Sequence, residues 1–179
     1  MKTTEILIAG FGGQGILFSG KFLAYKGLVE ELQVSWLPSY GPEMRGGTAN
    51  CNVILSDTPV GSPIITTPDV LIAMNLPSLE KYVNTVAKGG QIYVDSSLID
   101  AKVERDDVDV FYIPATQMAK DNGIGTLANM IIIGHLLENH PELSFDGAPG
   151  VVEKLVPPKK EALKELNMKA LNLGKNYNK

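Results

Sequence analysis

The chain has 179 residues, 44% of them apolar and 20% charged, with a net charge of −4. That length suits one domain with a sizeable core, and the mild acidity argues against a general nucleic-acid or membrane-surface binder. Cys51 is the single cysteine, which excludes an internal disulfide, a cysteine-ligated iron–sulfur cluster and a zinc knuckle.

The first element predicted is a strand over residues 4–9, an unbroken apolar run of the kind buried on both faces of a parallel sheet. It runs into a glycine cluster, and a helix is predicted from 13 to about 26, with Gly27 as its stop. The spacing Gly10-x-Gly12-x-x-Gly15 matches a dinucleotide-binding fingerprint. In that reading Gly10 takes the sharp turn off the strand, Gly12 lets the backbone approach a ligand, and Gly15 lets the helix pack closely on the sheet. The amides of Gly12, Gly13, Gln14 and Gly15 would then form an anion site at the positive end of the helix. The alternative is that the glycines serve packing alone.

NAD binding also requires a carboxylate at the tip of the second strand, to hold the ribose. That strand, predicted over 33–37, runs into Pro38-Ser39-Tyr40 instead. Glu30 and Glu31 come too early and Glu43 too late, so ordinary NAD binding is not expected. Residues 38–48, rich in proline and glycine, form an irregular loop past the carboxyl end of a strand, where open α/β sheets place ligands. Arg45, flanked by Gly46 and Gly47, could reach a phosphate or carboxylate there, with Ser39, Tyr40 and Glu43 nearby in sequence. A bland loop with Arg45 paired to Glu43 is the competing reading.

Residues 49–55 alternate Asn50 and Asn52 with Cys51 and Val53, a strand with one polar face. Cys51 reads as a small buried hydrophobe, not a nucleophile. Residues 60–65 are predicted to return as an edge strand, because Pro63 cannot donate to a central ladder. Buried strands follow at 69–74, 91–95 and 108–113, with helices at 77–87 and 115–120. Asn75 and Asp95 stand at strand tips, and for Asp95 a turn or cap role is favoured. Residues 127–138 form a helix apolar on most faces. Residues 141–158 are predicted as a connecting loop, and about 159–173 as a final charged helix. His135 and His140 straddle a helix end without an acidic partner at ligand spacing, so no metal site is expected.

The predicted fold is therefore α/β, a Rossmann-like three-layer sandwich: a mostly parallel sheet with helices on both faces and a hairpin-like insertion, in one domain over 1–179. No apolar run is long enough to span a bilayer, no signal peptide is read at the start, and a cytoplasmic location is expected.

Gly10-Phe11-Gly12-Gly13-Gln14-Gly15, with Ser39-Tyr40-Gly41-Pro42-Glu43-Met44-Arg45-Gly46-Gly47, resembles the gamma subunit of 2-oxoacid:ferredoxin oxidoreductases, and so does Ile124-Gly125-Thr126-Leu127-Ala128-Asn129-Met130. The similarity covers nearly the whole chain and is closer to the 2-oxoglutarate and branched-chain 2-ketoacid types than to a fused pyruvate enzyme. The resemblance implies a complex that converts a 2-oxoacid and coenzyme A to acyl-CoA and carbon dioxide while reducing ferredoxin. Thiamine diphosphate, magnesium and iron–sulfur clusters would sit on partner subunits, alpha, beta and a ferredoxin-like delta, and the isolated chain would be inactive and could self-associate as a homodimer. Coenzyme A would be met as a substrate, through the site set Gly12, Gly13, Gln14, Gly15, Ser39, Tyr40, Glu43, Arg45 and Gly46. A stand-alone nucleotide-binding protein and a purely structural assembly subunit are the rival readings.

Overall fold

The computed structural model describes residues 3–39 and 48–178, with Thr48 described by its backbone alone. Of the predicted site residues, Tyr40, Glu43, Arg45 and Gly46 lie outside the described residues. The elements run β1 (Thr4–Phe11), α1 (Ile16–Val29), β2 (Gln33–Ser39), β3 (Thr48–Ser56), β4 (Val70–Ala73), α2 (Leu76–Tyr82), β5 (Gln91–Asp95), β6 (Asp109–Ile113), α3 (Ala115–Asp121), α4 (Ala128–Asn139), α5 (Ala148–Leu155) and α6 (Glu161–Lys175).

The six strands form one sheet in the order β2-β3-β1-β4-β5-β6. β1, β4, β5 and β6 pair in parallel, while β3 is antiparallel to both β1 and β2. The expected mostly parallel sheet is thus present, and its insertion is β3. β3 is not paired with residues 60–65, which form no strand. Period-two alternation marks a strand but does not name its neighbour, and β3 pairs with β1 from Thr4↔Leu55 to Phe11↔Thr48.

Alternation along the strands divides two cores. Ile6, Ile8, Cys51, Val53, Leu55, Val70, Ile72 and Tyr93 face the side packed by α1, α3, α4, α5 and α6. Leu7, Leu71, Ala73, Ile92 and Val94 face the thinner side, with Leu79 of α2 and Ile99. On that thinner side the segment 96–108 joins β5 to β6 without forming a helix. Arg105 pins it, donating from Nη1 to Val83 O and Val86 O at 2.9 Å each, and its guanidinium pairs with Asp107 at 2.8 Å.

On the thick side α4 is the centre, buried at every residue from Ala128 to Leu137, as its all-round apolarity requires. It crosses α6 where a methyl group on Gly134 would overlap Leu171 O, and one on Gly174 would overlap Ile131 O. The two helices therefore touch backbone to backbone. Three sequence expectations are corrected on this side. α5 occupies part of the predicted loop 141–158, with Val151 and Val152 buried. Gly27 lies inside α1 instead of ending it, close against Leu55 and Val34, and Gly20 packs on Cys51. The close helix–sheet contact assigned to Gly15 is made by these two glycines.

Candidate functional site

The glycine turn lies at the carboxyl end of β1, between the tips of β3 and β4. Gly10 is still in the strand, and a side chain there would press on Gln14, Ile16 and Met74. The reversal comes later, at Gly13 (φ 91°) and Gly15 (φ 76°), left-handed values that L side chains rarely adopt. Gly15 is the N-cap of α1 and supplies no capping side chain, and the first turn of α1 has no acidic residue. The positive end of this fourteen-residue helix therefore meets no carboxylate of its own first turn. Exposed Gly12 and Gly13 open onto a cleft of about 280 Å³ walled by Phe11, Leu17, Phe18 and Ala49.

Gln14 is not free to meet a ligand. Its Oε1 accepts from Phe11 N–H at 2.6 Å, and its Nε2 donates to Met74 O at 2.9 Å. Its own N–H donates to Phe11 O at 3.3 Å. Gln14 is a staple that ties the turn to the tip of β4. The structure therefore brings Gly12, Gly13 and Gly15 together as an open backbone surface and turns the Gln14 side chain inward.

Ser39 ends β2, exposed and opposite Asn50. Because β3 lies between β2 and β1, Ser39 stands two strand spacings, about 10 Å, from Ala9 of β1, level with the strand and short of the turn. The same insertion removes the geometry of a dinucleotide fold, in which the second strand's tip supplies the ribose-binding carboxylate. The chain re-enters the described structure at Thr48, directly opposite Phe11.

The other strand tips are occupied structurally. Asn75 caps α2, its Oδ1 accepting from Ser78 N–H at 2.8 Å. Asp95, fully buried, accepts from Thr116 Oγ1 at 2.5 Å, Thr116 N–H at 3.3 Å and Ser97 N–H at 3.1 Å. Cys51 is buried, and burial pushes its thiol up to about 12, so it is no nucleophile near neutrality. His135 sits edge-on to Tyr93, Phe111 and Tyr177 with Nδ1 3.1 Å from Gly174 O, and burial lowers its pKa. Among the described residues no cluster of three or more His, Cys, Asp or Glu is placed to hold a metal, and no helix is long and apolar enough to cross a membrane.

One site residue has no sequence signal of its own. Asn129, on α4, donates from Nδ2 to Gly15 O at 3.2 Å and to Ser19 Oγ at 2.9 Å, and so fixes the N-terminus of α1. A side chain on Gly15 would strike it at 2.5 Å. The partners are 114 residues apart in sequence. In the sequence Asn129 stands out only as part of the segment 124–130 that carries the family resemblance.

Residues 5–177 match the pyruvate ferredoxin/flavodoxin oxidoreductase family. The chain is 36% identical to the 2-oxoglutarate synthase subunit KorC of Methanothermobacter thermautotrophicus, covering 96% of this chain and 93% of that protein. It is 39% identical to the ketoisovalerate oxidoreductase subunit VorA of the same organism, over 95% of this chain but 35% of that protein. The chain thus spans about a third of the length of the ketoisovalerate relatives it matches. Among solved structures it resembles a keto/oxoacid ferredoxin oxidoreductase gamma subunit from Geobacter sulfurreducens, with TM-score 0.81, 31% identity and coverage of 96% and 95%. It also resembles the 2-oxoglutarate:ferredoxin oxidoreductase of Magnetococcus marinus, a structure with 2-oxoglutarate, coenzyme A and succinyl-CoA bound, with TM-score 0.86, 26% identity and coverage of 98% and 31%.

Proposed function

The chain belongs to the pyruvate ferredoxin/flavodoxin oxidoreductase family, and from that premise we propose that it is the subunit of a 2-oxoacid:ferredoxin oxidoreductase that supports coenzyme A binding and assembly without carrying the redox chemistry. In such a complex a 2-oxoacid loses carbon dioxide, its acyl group passes to the thiol of coenzyme A, and the two electrons released go to ferredoxin. Thiamine diphosphate supplies the carbanion stabilisation this requires, and iron–sulfur clusters carry the electrons. With Cys51 buried as the single cysteine and no metal cluster among the described residues, we assign those groups to sister subunits, together with ferredoxin as the acceptor.

The observation that carries the reading is the uncapped N-terminus of α1 behind an exposed Gly12-Gly13 backbone. Its N–H groups and helix dipole suit a diphosphate and demand no carboxylate for a ribose. Arg45, three residues before the strand that pairs with Phe11, is the cation we assign to the same anion, with Tyr40, Glu43 and Gly46 as its neighbours in sequence and Ser39 at the end of β2. A charge-assisted contact of this kind contributes about 1.5–3 kcal/mol. In the assembled complex, Arg45→Ala should raise the coenzyme A KM by about tenfold or more while decarboxylation without coenzyme A stays at its wild-type rate. Unchanged coenzyme A affinity by calorimetry, together with unchanged turnover, would remove Arg45 from the site. The inward-turned Gln14 favours a second reading, in which the turn serves assembly alone. In that case variants of the Tyr40–Gly47 loop would lose sister subunits with no specific change in coenzyme A KM.

A further inference from the structure

Strands β2 and β3 differ from the rest of the sheet in two ways. Neither the seven residues of β2 nor the nine of β3 include Asp, Glu, Lys or Arg, in a chain that is 20% charged. On one face they are also only partly covered: Ile54 at the Ser35 end is buried, and the cover thins toward Leu37 and Ser39. Val34 and Trp36 point to α1, which packs across β2 and β3. The register then puts Ser35, Leu37 and Ser39 on the opposite face with Asn50, Asn52 and Ile54. There α2 covers β1 and β4, reaching β3 through Asn50 Nδ2 and Tyr82 Oη at 3.4 Å. Leu37 is left 39% exposed, Ser39 is exposed, and Asn50 and Asn52 are half-buried.

β2 is also the outer strand of the sheet. Open edges are ordinarily guarded by charged side chains, and a neutral, partly apolar strand without them pairs or is covered. Depletion of charge with retained hydrogen-bonding groups is the composition of an interface core, not of a solvated surface. The patch adjoins the glycine turn through the Phe11↔Thr48 pair.

We propose that this face, centred on Leu37, Asn50 and Asn52, docks the sister subunit equivalent to the part of VorA that the present chain does not match. The inference rests on the reading of the chain as an oxidoreductase subunit. In VorA the matching region is about a third of one longer polypeptide, whereas KorC is matched over 93% of its length. The same domain thus occurs joined to further sequence and nearly alone. A neutral, hydrogen-bonding partner face continuous in one polypeptide in VorA, and supplied by a second chain beside a KorC-like subunit, accounts for both arrangements.

The test is co-expression of the full chain with that sister subunit, comparing wild type, the double variant Leu37→Lys/Asn52→Lys, and Leu28→Lys near the C-terminal end of α1, on the helix-covered side of the sheet, where Leu28 is 58% exposed. The double variant should keep the wild-type circular dichroism spectrum and lose at least tenfold of the co-purified partner, while Leu28→Lys keeps all of it. Recovery of partner by the double variant at the wild-type level overturns the docking face and leaves the subunit reading standing. Equal loss in both variants overturns the face as well, because the effect is then not local. So does a wild-type homodimer abolished by the double variant while the hetero-complex persists, since the face would then serve a second copy. Failure of the wild type itself to hold the sister subunit overturns the subunit reading, and this inference with it.

Discussion

The two faces of the sheet are built to different standards. Five helices cover one, with α4 buried along its length and crossing α6 at backbone contact through Gly134 and Gly174. The other has the seven residues of α2 and the Arg105-pinned segment over β1, β4 and β5, and none of the described helices over β2 and β3. Stability of the isolated chain therefore resides mainly on the thick side, and the thin side is open to a second polypeptide. Substitutions of similar size should have very different costs on the two.

The largest effect is expected at Phe22, fully buried on the inner face of α1. Phe22→Ala should cost about 3–5 kcal/mol, read as a lower urea midpoint at unchanged slope. A cost below ~1 kcal/mol would erase the contrast between the faces. Next comes Gly134→Ala at the α4–α6 crossing, where even a methyl group must push the helices apart, at about 1–3 kcal/mol. Full tolerance there would mean that the helices do not touch as described.

A smaller effect should appear with pH. Burial lowers the pKa of His135 and His140 below the ordinary 6.5, so the unfolded chain takes up the protons first. Stability is then complete above about pH 6.5 and is lost as pH falls through the folded-state values. Thermal midpoints should decline as the pH falls below about 6.5, and His135→Gln should reduce that decline. An unchanged midpoint over that window would contradict the burial of these rings. The smallest effect is expected on the thin side, where Leu37→Ser should change the stability of the isolated chain by no more than about 0.5 kcal/mol. A large loss there would show that the chain's own core, and not a partner, depends on this face.

Much of this architecture was legible in local pattern. The buried strands, the run into the glycine turn and the apolar α4 follow from periodicity and glycine placement. What escaped depends on long-range pairing. The alternation of Asn50 and Asn52 announces a strand with a polar face, but its seat between β1 and β2 is set by register over the whole of β3. α5 falls in the predicted loop 141–158, where Gly147, Pro149 and Gly150 are residues typical of loops. Yet Gly147 is a left-handed N-cap, and Pro149 falls at the start of the helix, where its missing N–H is tolerated. The candidate site divides the same way. The glycine cluster declared a turn by composition, but the sharp turn expected at Gly10 comes at Gly13 and Gly15, and the inward Gln14 and the distant Asn129 act through partners that no local spacing encodes.

The α4–α6 crossing also bears on how the chain is made. α4 leaves the ribosome before the helix that seals it, and residues 140–160 separate them. At ~5–20 residues per second, a strongly greasy rod stays without its lid for on the order of a few seconds during each round of translation. That interval leaves its apolar surface open to chaperones and to aggregation with other nascent chains.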